Sequence, residues 1–142
     1  MKITNNFSLE ELYASSTAKK KGIDNTPSTK VIRYLEALAN NVLQPIRDEW
    51  QAPIKVNCAY RCQKLNSAVG GAKNSDHLFG AAADITVGSK EKNKQLFTLI
   101  LSMVKQGKLK CRQVIDESNF SWIHVSINNE YNKYKDNQIL HL

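Results

Sequence analysis

The chain has 142 residues, of which 42% are hydrophobic and 23% are charged. A chain of this length fits one domain that buries a core without disulfides, and its composition excludes wholesale disorder. No apolar run approaches the roughly 20 residues that span a bilayer, which excludes a transmembrane protein. We therefore expect a single domain over residues 1–142 with no membrane partner.

The formal net charge is +7, and the basic residues are mostly scattered along the chain. The two local concentrations, at Lys19 to Lys21 and at Lys105 to Arg112, do not alternate with aromatic residues as in a nucleic-acid platform. We therefore expect a solvated basic surface and no nucleic-acid partner. A diffuse positive field also favours polyanions, including an anionic cell wall.

The amino-terminal stretch "MKITNNFSLEEL" lacks the apolar core of a signal peptide, so synthesis in the cytoplasm is expected. The three cysteines, Cys58, Cys62 and Cys111, are odd in number and contain no C-x-x-C pair. Reduced, structural cysteines are the expected state, as in a reducing compartment. A Cys58–Cys62 disulfide stays open as the alternative, if the backbone brings the two residues close enough.

Helices are predicted in the first part of the chain. In "FSLEELYAS", Ser8 is followed three residues later by Glu11, a capping box that predicts a short helix. The polar stretch "TAKKKGIDNTPSTK" predicts a loop. A longer helix follows, which Pro45 is expected to kink or end. Its apolar residues recur at steps of three and four: Val31, Leu35, Leu38, Val42 and Ile46.

The second part of the chain contains the predicted strands. Ile54, Val56 and Cys58 alternate with polar residues and predict a strand, and "QKLNSAVGGAKNS" predicts a short helix that breaks at Gly70–Gly71. The strand "AAADITV", the amphipathic helix "KEKNKQLFTLILSMVKQG" and the strands "CRQVIDE" and "SWIHVSIN" follow. Helices first, and then strands with interposed helices, predict an α+β fold.

Strand alternation places two polar residues, Asp84 and His124, on strand faces that point away from the core. In "AAADITV", Ile85 points to the core and Asp84 to the opposite face. In "SWIHVSI", Ile123 points to the core and His124 to the opposite face. His77 lies in a loop just before the first of these strands. The sequence therefore offers three polar side chains that the fold can bring together.

Two histidines and one aspartate form a donor set that suits zinc, and three protein ligands leave the fourth position open as in catalytic sites. Such a site also needs a carboxylate that moves protons, and Asp116 and Glu117 both precede His124 at short distance. The spacing alone is a weak pattern. An exposed histidine and a capping aspartate are the alternative interpretation.

Three ordered motifs resemble a known family. "SDHLFGAAAD" resembles the S-x-H-x-x-G-x-A-x-D signature of the zinc D-Ala-D-Ala carboxypeptidase family, which includes phage endolysins. "WIHVS" resembles the strand with the last metal ligand of that family, and "AYR", residues 59–61, resembles the segment before the signature. The resemblance extends from about Phe7 to Ser126.

This resemblance implies a small α+β fold with helices flanking an antiparallel sheet, one face of which carries the site. It implies Zn²⁺ as the cofactor, with His77, Asp84 and His124 as ligands. It also implies Glu117 as the catalytic acid/base and Arg61 as the group that holds a substrate carboxylate or orients the scissile bond. The substrates implied are peptidoglycan stem peptides or other peptides that contain D-Ala.

The sequence departs from the family pattern at three places. Cys58 and Ala59 stand where Ser-Gly is usual, and Asp76 replaces a frequent Gln and adds a negative charge beside His77. Six residues separate Glu117 from His124, a longer interval than in E-x-x-H. This interval leaves Asp116 as a rival for the role of base.

The leading hypothesis is therefore a monomeric, zinc-dependent peptidase that acts on peptidoglycan as a carboxypeptidase or an endopeptidase. Without an export signal, it would reach the wall as a phage or prophage lysin released by a helper, or would trim peptides in the cytoplasm. A non-catalytic zinc-binding module that recognises peptides is one alternative. A basic nucleic-acid-binding domain is the other, and steeply salt-dependent affinity would be its sign.

Overall fold

The computed structural model describes residues 1–131 and 138–141. Short helices open the chain, and strands with interposed helices follow, as the α+β prediction requires. The helices are α1 (Leu9–Tyr13), α2 (Ser16–Lys21), α3 (Thr29–Leu38), α4 (Gln44–Trp50), α5 (Gln63–Ala68) and α6 (Lys90–Lys105). The strands are β1 (Lys55–Cys58), β2 (Ala82–Thr86), β3 (Gln113–Glu117), β4 (Trp122–Ser126) and β5 (Gln138–His141).

The strands form a single five-stranded sheet in the order β1-β2-β4-β3-β5. The pairs β1–β2, β2–β4 and β3–β4 are antiparallel, which confirms the predicted antiparallel sheet. The β3–β5 pair is parallel, and sequence reasoning missed β5 altogether. Four residues at a sheet edge are too few for a period-two pattern to stand out, which explains the omission.

The long predicted helix does not end at Pro45. A π-helical turn, Ala39–Leu43, connects α3 to α4, and Pro45 lies in the first turn of α4. Proline lacks an N–H and clashes in a regular helix interior, and the wider turn before it accommodates this defect. The helix therefore continues to Trp50 and keeps Leu35, Leu38 and Ile46 fully buried.

The stretch predicted as a loop after α1 contains the helix α2. The Ser15 side chain accepts a hydrogen bond from the Ala18 N–H, and Gly22 ends the helix with φ of 64°. A serine N-cap and a glycine C-cap stabilise even a short helix. The lysines in its last turn also interact favourably with the helix dipole.

The core lies between the helices and one face of the sheet. Leu38 and Ile46 from the long helix and Ile100 from α6 pack in one buried cluster with Ile85 and Ile123 of the sheet. Ile85 and Ile123 therefore point to the core, as alternation predicts, and Asp84 and His124 point to the opposite face. Within residues 1–131 and 138–141, no helix is both long and apolar enough to cross a membrane.

The β3–β4 hairpin has an unusual turn that α6 supports. Ser118, Asn119 and Phe120 all have positive φ, between 48° and 62°, a conformation that residues other than glycine rarely adopt. The Asn93 side chain of α6 donates hydrogen bonds to the carbonyl oxygens of Phe120 at 2.8 Å and of Ser121 at 3.1 Å. This buried amide therefore holds the turn in place.

The same amide fixes the end of β2. Asn93 Oδ1 accepts the Val87 N–H at 2.8 Å and the Thr86 hydroxyl at 3.1 Å. Only 1% of Asn93 is exposed, so water does not replace these partners. One side chain thus ties α6 to the strand of Asp84 and to the hairpin that joins Glu117 and His124.

We expect Asn93→Ala to lower the free energy of unfolding by about 2–4 kcal/mol, because it leaves buried backbone groups without partners. Asn40→Ala is a matched control, since Asn40 is exposed and makes one hydrogen bond to the Glu36 carbonyl, and about 0.5 kcal/mol or less is expected there. Urea denaturation measures both. Equal losses in the two variants would contradict the role given to Asn93.

Candidate active site

Three polar side chains meet on the face of the sheet opposite the core. Asp84 of β2 and His124 of β4 are direct neighbours in the antiparallel register, and His77 comes from a 3-10 turn, Asp76–Phe79, just before β2. Asp84 Oδ1 lies 2.9 Å from His124 Nδ1 and 3.3 Å from His77 Nε2. The structure thus brings together the three residues that the sequence predicts as ligands.

Local sequence fixes the turn that carries His77. The Ser75 hydroxyl accepts the His77 N–H at 3.2 Å, and Gly80 ends the turn with φ of 65°. A Cβ atom at position 80 would lie 3.1 Å from Val31 Cγ1 and 3.3 Å from Tyr34 Cβ. Both the backbone conformation and the close packing against α3 therefore require glycine at this position.

A backbone carbonyl sets the orientation of the His77 ring. His77 Nδ1 lies 2.6 Å from the Ala59 carbonyl oxygen, which can only accept, so Nδ1 carries a proton. His77 Nε2 then faces Asp84 and His124. Hydrogen bonds of this kind typically orient histidine ligands of metals. The Cys58 thiol lies 4.0 Å from Nδ1.

Burial and charge act in opposite directions on these groups. Burial opposes protonation of His77, but its hydrogen bonds with Asp84 and Cys58 outweigh burial and raise the His77 pKa to about 10. Burial favours the protonated form of Asp84, but hydrogen bonds from His124 and His77 outweigh it and hold the Asp84 pKa well below its ordinary value. The metal-free group therefore contains an ion pair whose proton a metal ion would replace.

The chemistry of the donor set fits zinc. One ligand atom from each of His77, Asp84 and His124 lies within 4.8 Å of the others, so one ion can contact all three. Two imidazole nitrogens and a carboxylate oxygen are ligands that Zn²⁺ accepts, and three protein ligands leave a position open for chemistry. The residues present can therefore hold a catalytic zinc ion.

The three residues lie in the wall of a cleft of about 500 Å³. Ile115 and Glu117 line this cleft from β3, whereas Asp116 between them is not among the lining residues. Asp116 shares its strand face with Val114, which belongs to the core cluster. Only 5% of Asp116 is exposed. The geometry therefore places Glu117 in the cleft and its rival outside it.

Arg61 lines the same cleft from the loop after β1. Its backbone N–H donates to the His77 carbonyl oxygen at 3.1 Å, and its side-chain Nη2 lies 3.4 Å from the Ser75 hydroxyl. Its buried Nε has no hydrogen-bond partner in the described part of the chain. Gly71 packs against this side chain, since a Cβ there would lie 3.2 Å from Arg61 Nη2 and 2.1 Å from Asn66 Oδ1.

Arg112 is the cleft residue that sequence reasoning missed. Its Nη1 donates to Asp76 Oδ2 at 2.6 Å, and both residues line the cleft. The extra negative charge of Asp76 beside His77 was the available signal, because a buried carboxylate requires a partner. The position of that partner, 36 residues away, could not be read from the sequence.

All three cysteines are free, which agrees with reduced, structural cysteines. Cys62 caps α5, where its sulfur accepts the Leu65 N–H at 3.5 Å. Cys111 is buried in the core cluster. Among the residues that the structure describes, no cysteine belongs to a group with metal-binding geometry.

Comparison with known proteins agrees with this geometry. The peptidase M15 family matches the chain over residues 5–126. The chain belongs to the peptidase M15 family. This membership confirms the family resemblance and the α+β fold class predicted from the sequence and, at the level of the family, the predicted class of metallopeptidase.

A shorter similarity relates this M15 domain to a curated protein. It is 53% identical over 38 residues to the zinc D-Ala-D-Ala carboxypeptidase of Streptomyces albus G. The match covers 27% of the chain and 15% of the length of that relative.

We expect His77→Ala and His124→Ala to weaken zinc binding by about 100-fold or more, because each removes one of three ligands. Cys62→Ser is the matched control, because serine also caps a helix and Cys62 is not part of the donor set. The zinc affinity of this variant should equal that of wild type. Competition with a chromogenic chelator measures the affinities. Full zinc affinity in either alanine variant would refute the site.

Proposed function

We propose that this M15 domain is a zinc-dependent hydrolase of peptide bonds in peptidoglycan stem peptides. The observation that carries this proposal is the His77–Asp84–His124 group in a cleft that also contains Glu117 and Arg61. The name of the Streptomyces relative supports peptides that contain D-Ala as the substrate class.

In this proposal His77, Asp84 and His124 hold the metal. Zinc, when bound, supplies Lewis-acid chemistry: it polarises a carbonyl oxygen and lowers the pKa of water. The Ala59 carbonyl keeps His77 Nε2 turned towards Asp84, and the β2–β4 register keeps Asp84 beside His124. The chain therefore presents its ligands in one fixed arrangement before any substrate arrives.

Glu117 is the proposed general base and acid. Its carboxylate takes a proton from the attacking water as the oxygen bonds to the carbonyl carbon. The same carboxyl group then gives the proton to the amine nitrogen as the carbon–nitrogen bond breaks. A half-buried carboxylate in the cleft wall is suited to this double role.

Arg61 is the proposed anchor for the substrate. A guanidinium offers planar, paired N–H donors that match a carboxylate or the oxygen of a peptide. The Arg61 backbone N–H donates to the His77 carbonyl and its Nη2 lies 3.4 Å from the Ser75 hydroxyl, which places the side chain beside His77. Arg61 would therefore align the scissile bond with Glu117 instead of taking part in proton transfer.

The finer features of this activity are also proposals. Cleavage would occur as a carboxypeptidase or as an endopeptidase, the protein would act as a monomer, and its route to the wall would be that of a phage or prophage lysin. A catalytically inactive module that binds zinc and peptide is the second candidate. The presence of Glu117 in the cleft favours the enzyme, since recognition alone needs no proton carrier.

Digestion of purified muropeptides, followed by mass spectrometry with and without chelator, tests the proposal and identifies the bond. We expect Glu117→Gln to lower kcat by about 10²–10⁴-fold with zinc retained, because it removes the proton carrier. Asp116→Asn is the matched control and should keep most of the activity. Loss of turnover in Asp116→Asn but not in Glu117→Gln would reverse the assignment. Zinc binding without any cleavage would support the recognition module.

A further inference from the structure

The wall of the cleft contains an ion pair that the proposed mechanism does not use. Arg112 and Asp76 are joined at 2.6 Å, with 12% and 6% of their side chains exposed. Burying two charges is costly, and such pairs often contribute little to stability. An ion pair of this kind in a cleft that holds the candidate metal ligands suggests a role in binding.

The two cleft arginines belong to different parts of the sheet, and their side chains both reach the turn that carries His77. Asp84 and His124 lie on the neighbouring strands β2 and β4. Arg61 follows β1, on one side of these strands. The Arg112 backbone lies on the other side of these strands. Its N–H donates to the Ser126 carbonyl oxygen of β4, and its carbonyl oxygen accepts the Gln138 N–H of β5. Arg61 Nη2 lies 3.4 Å from the Ser75 hydroxyl and Arg112 Nη1 lies 2.6 Å from Asp76 Oδ2, so a peptide bound beside this turn meets both guanidinium groups.

The charge of the cleft favours an anionic ligand. Its lining includes the carboxylates of Asp76, Asp84 and Glu117 and the guanidinium groups of Arg61 and Arg112. When the histidines are neutral and bind a divalent cation, three carboxylates, two guanidinium groups and the cation give the cleft one net positive charge. Opposite charge in a narrow cleft raises the local concentration of a substrate and selects among substrates.

We propose that Arg112, oriented by Asp76, binds a second substrate carboxylate in addition to the one held by Arg61, so that the preferred substrates are peptides with two carboxylates. This inference rests on the proposed function. A guanidinium has five N–H donors in a fixed plane, and the contact with Asp76 holds that plane in the cleft wall. Stem peptides have this chemistry, since they carry a terminal carboxylate and the α-carboxylate of a γ-linked glutamate.

Three forms of one peptide test the proposal with the zinc-loaded protein: L-Ala–γ-D-Glu–L-Lys–D-Ala–D-Ala, the same peptide with the glutamate α-carboxylate amidated, and the same peptide with its carboxyl terminus amidated. The value of kcat/KM is measured for each form. In wild type, each amidation should lower kcat/KM by about 10- to 100-fold, as expected for the loss of a charged hydrogen bond.

The double variant Asp76→Asn/Arg112→Gln removes the pair without leaving a lone buried charge. We expect the kcat/KM of the double variant to be insensitive to one of the two amidations and to fall on the other as in wild type. Arg61→Gln should be insensitive to the amidation to which the double variant still responds, and should respond to the other. Arg33→Gln is the matched control, because Arg33 is exposed on α3 and does not line the cleft. It should respond to both amidations as wild type does. Zinc content and thermal unfolding establish that every variant is loaded and folded.

A double variant that lowers kcat/KM by the same factor for all three peptides would overturn the inference, since the pair would then only support the structure. Failure of the proposed function looks different: wild type would cleave none of the peptides. Calorimetric titration of the same peptides then decides the inference. The inference is supported if amidation weakens peptide binding to wild type but one of the two amidations no longer weakens binding to the double variant. It is overturned if amidation changes the affinities of wild type and of the double variant equally.

Discussion

The contact of one carboxylate oxygen with two imidazole rings organises the face of the sheet that carries the site. Asp84 Oδ1 lies within 3.3 Å of a nitrogen of both His77 and His124. This contact depends on the register of β2 and β4, because a slip of one residue would turn Asp84 into the core. The core residues on the other face, Ile85 and Ile123, set that register through their burial. Packing on one side of the sheet therefore determines chemistry on the other.

A second group of contacts keeps the three polar side chains in place. The Ala59 carbonyl orients His77, and the Ser75 cap and Gly80 fix the turn that carries it. On the far side of the sheet, Asn93 ties α6 to the end of β2 and to the β3–β4 turn. The chain thus supports its polar site with buried hydrogen bonds, which make a preorganised arrangement rigid.

Much of the fold and the ligand set could be predicted from the sequence, because each depends on local periodicity. Alternation placed Asp84 and His124 on the non-core face, and the sequence offered His77 beside them with Asp116 and Glu117 as candidate bases. The resemblance added the preference for Glu117 and the order of the motifs. The partnership of Asp76 with Arg112 and the contacts of Asn93 with the hairpin were beyond reach. Both join residues that are distant in sequence, and such contacts exist only after the sheet has formed. The helix α2 was missed for another reason, since its caps were present in the sequence and the lysines between them suggested a loop.

X-ray absorption spectroscopy of the zinc-loaded protein identifies the atoms bound to the metal and therefore tests whether His77, Asp84 and His124 hold it. We expect the metal to be bound by nitrogen and oxygen only, at about 2.0–2.2 Å, with the scattering pattern of two imidazole rings. The Cys58 thiol, 4.0 Å from His77 Nδ1, should not be among the ligands. A sulfur ligand at about 2.3 Å, or a set of ligands without imidazole, would contradict the site described for His77, Asp84 and His124.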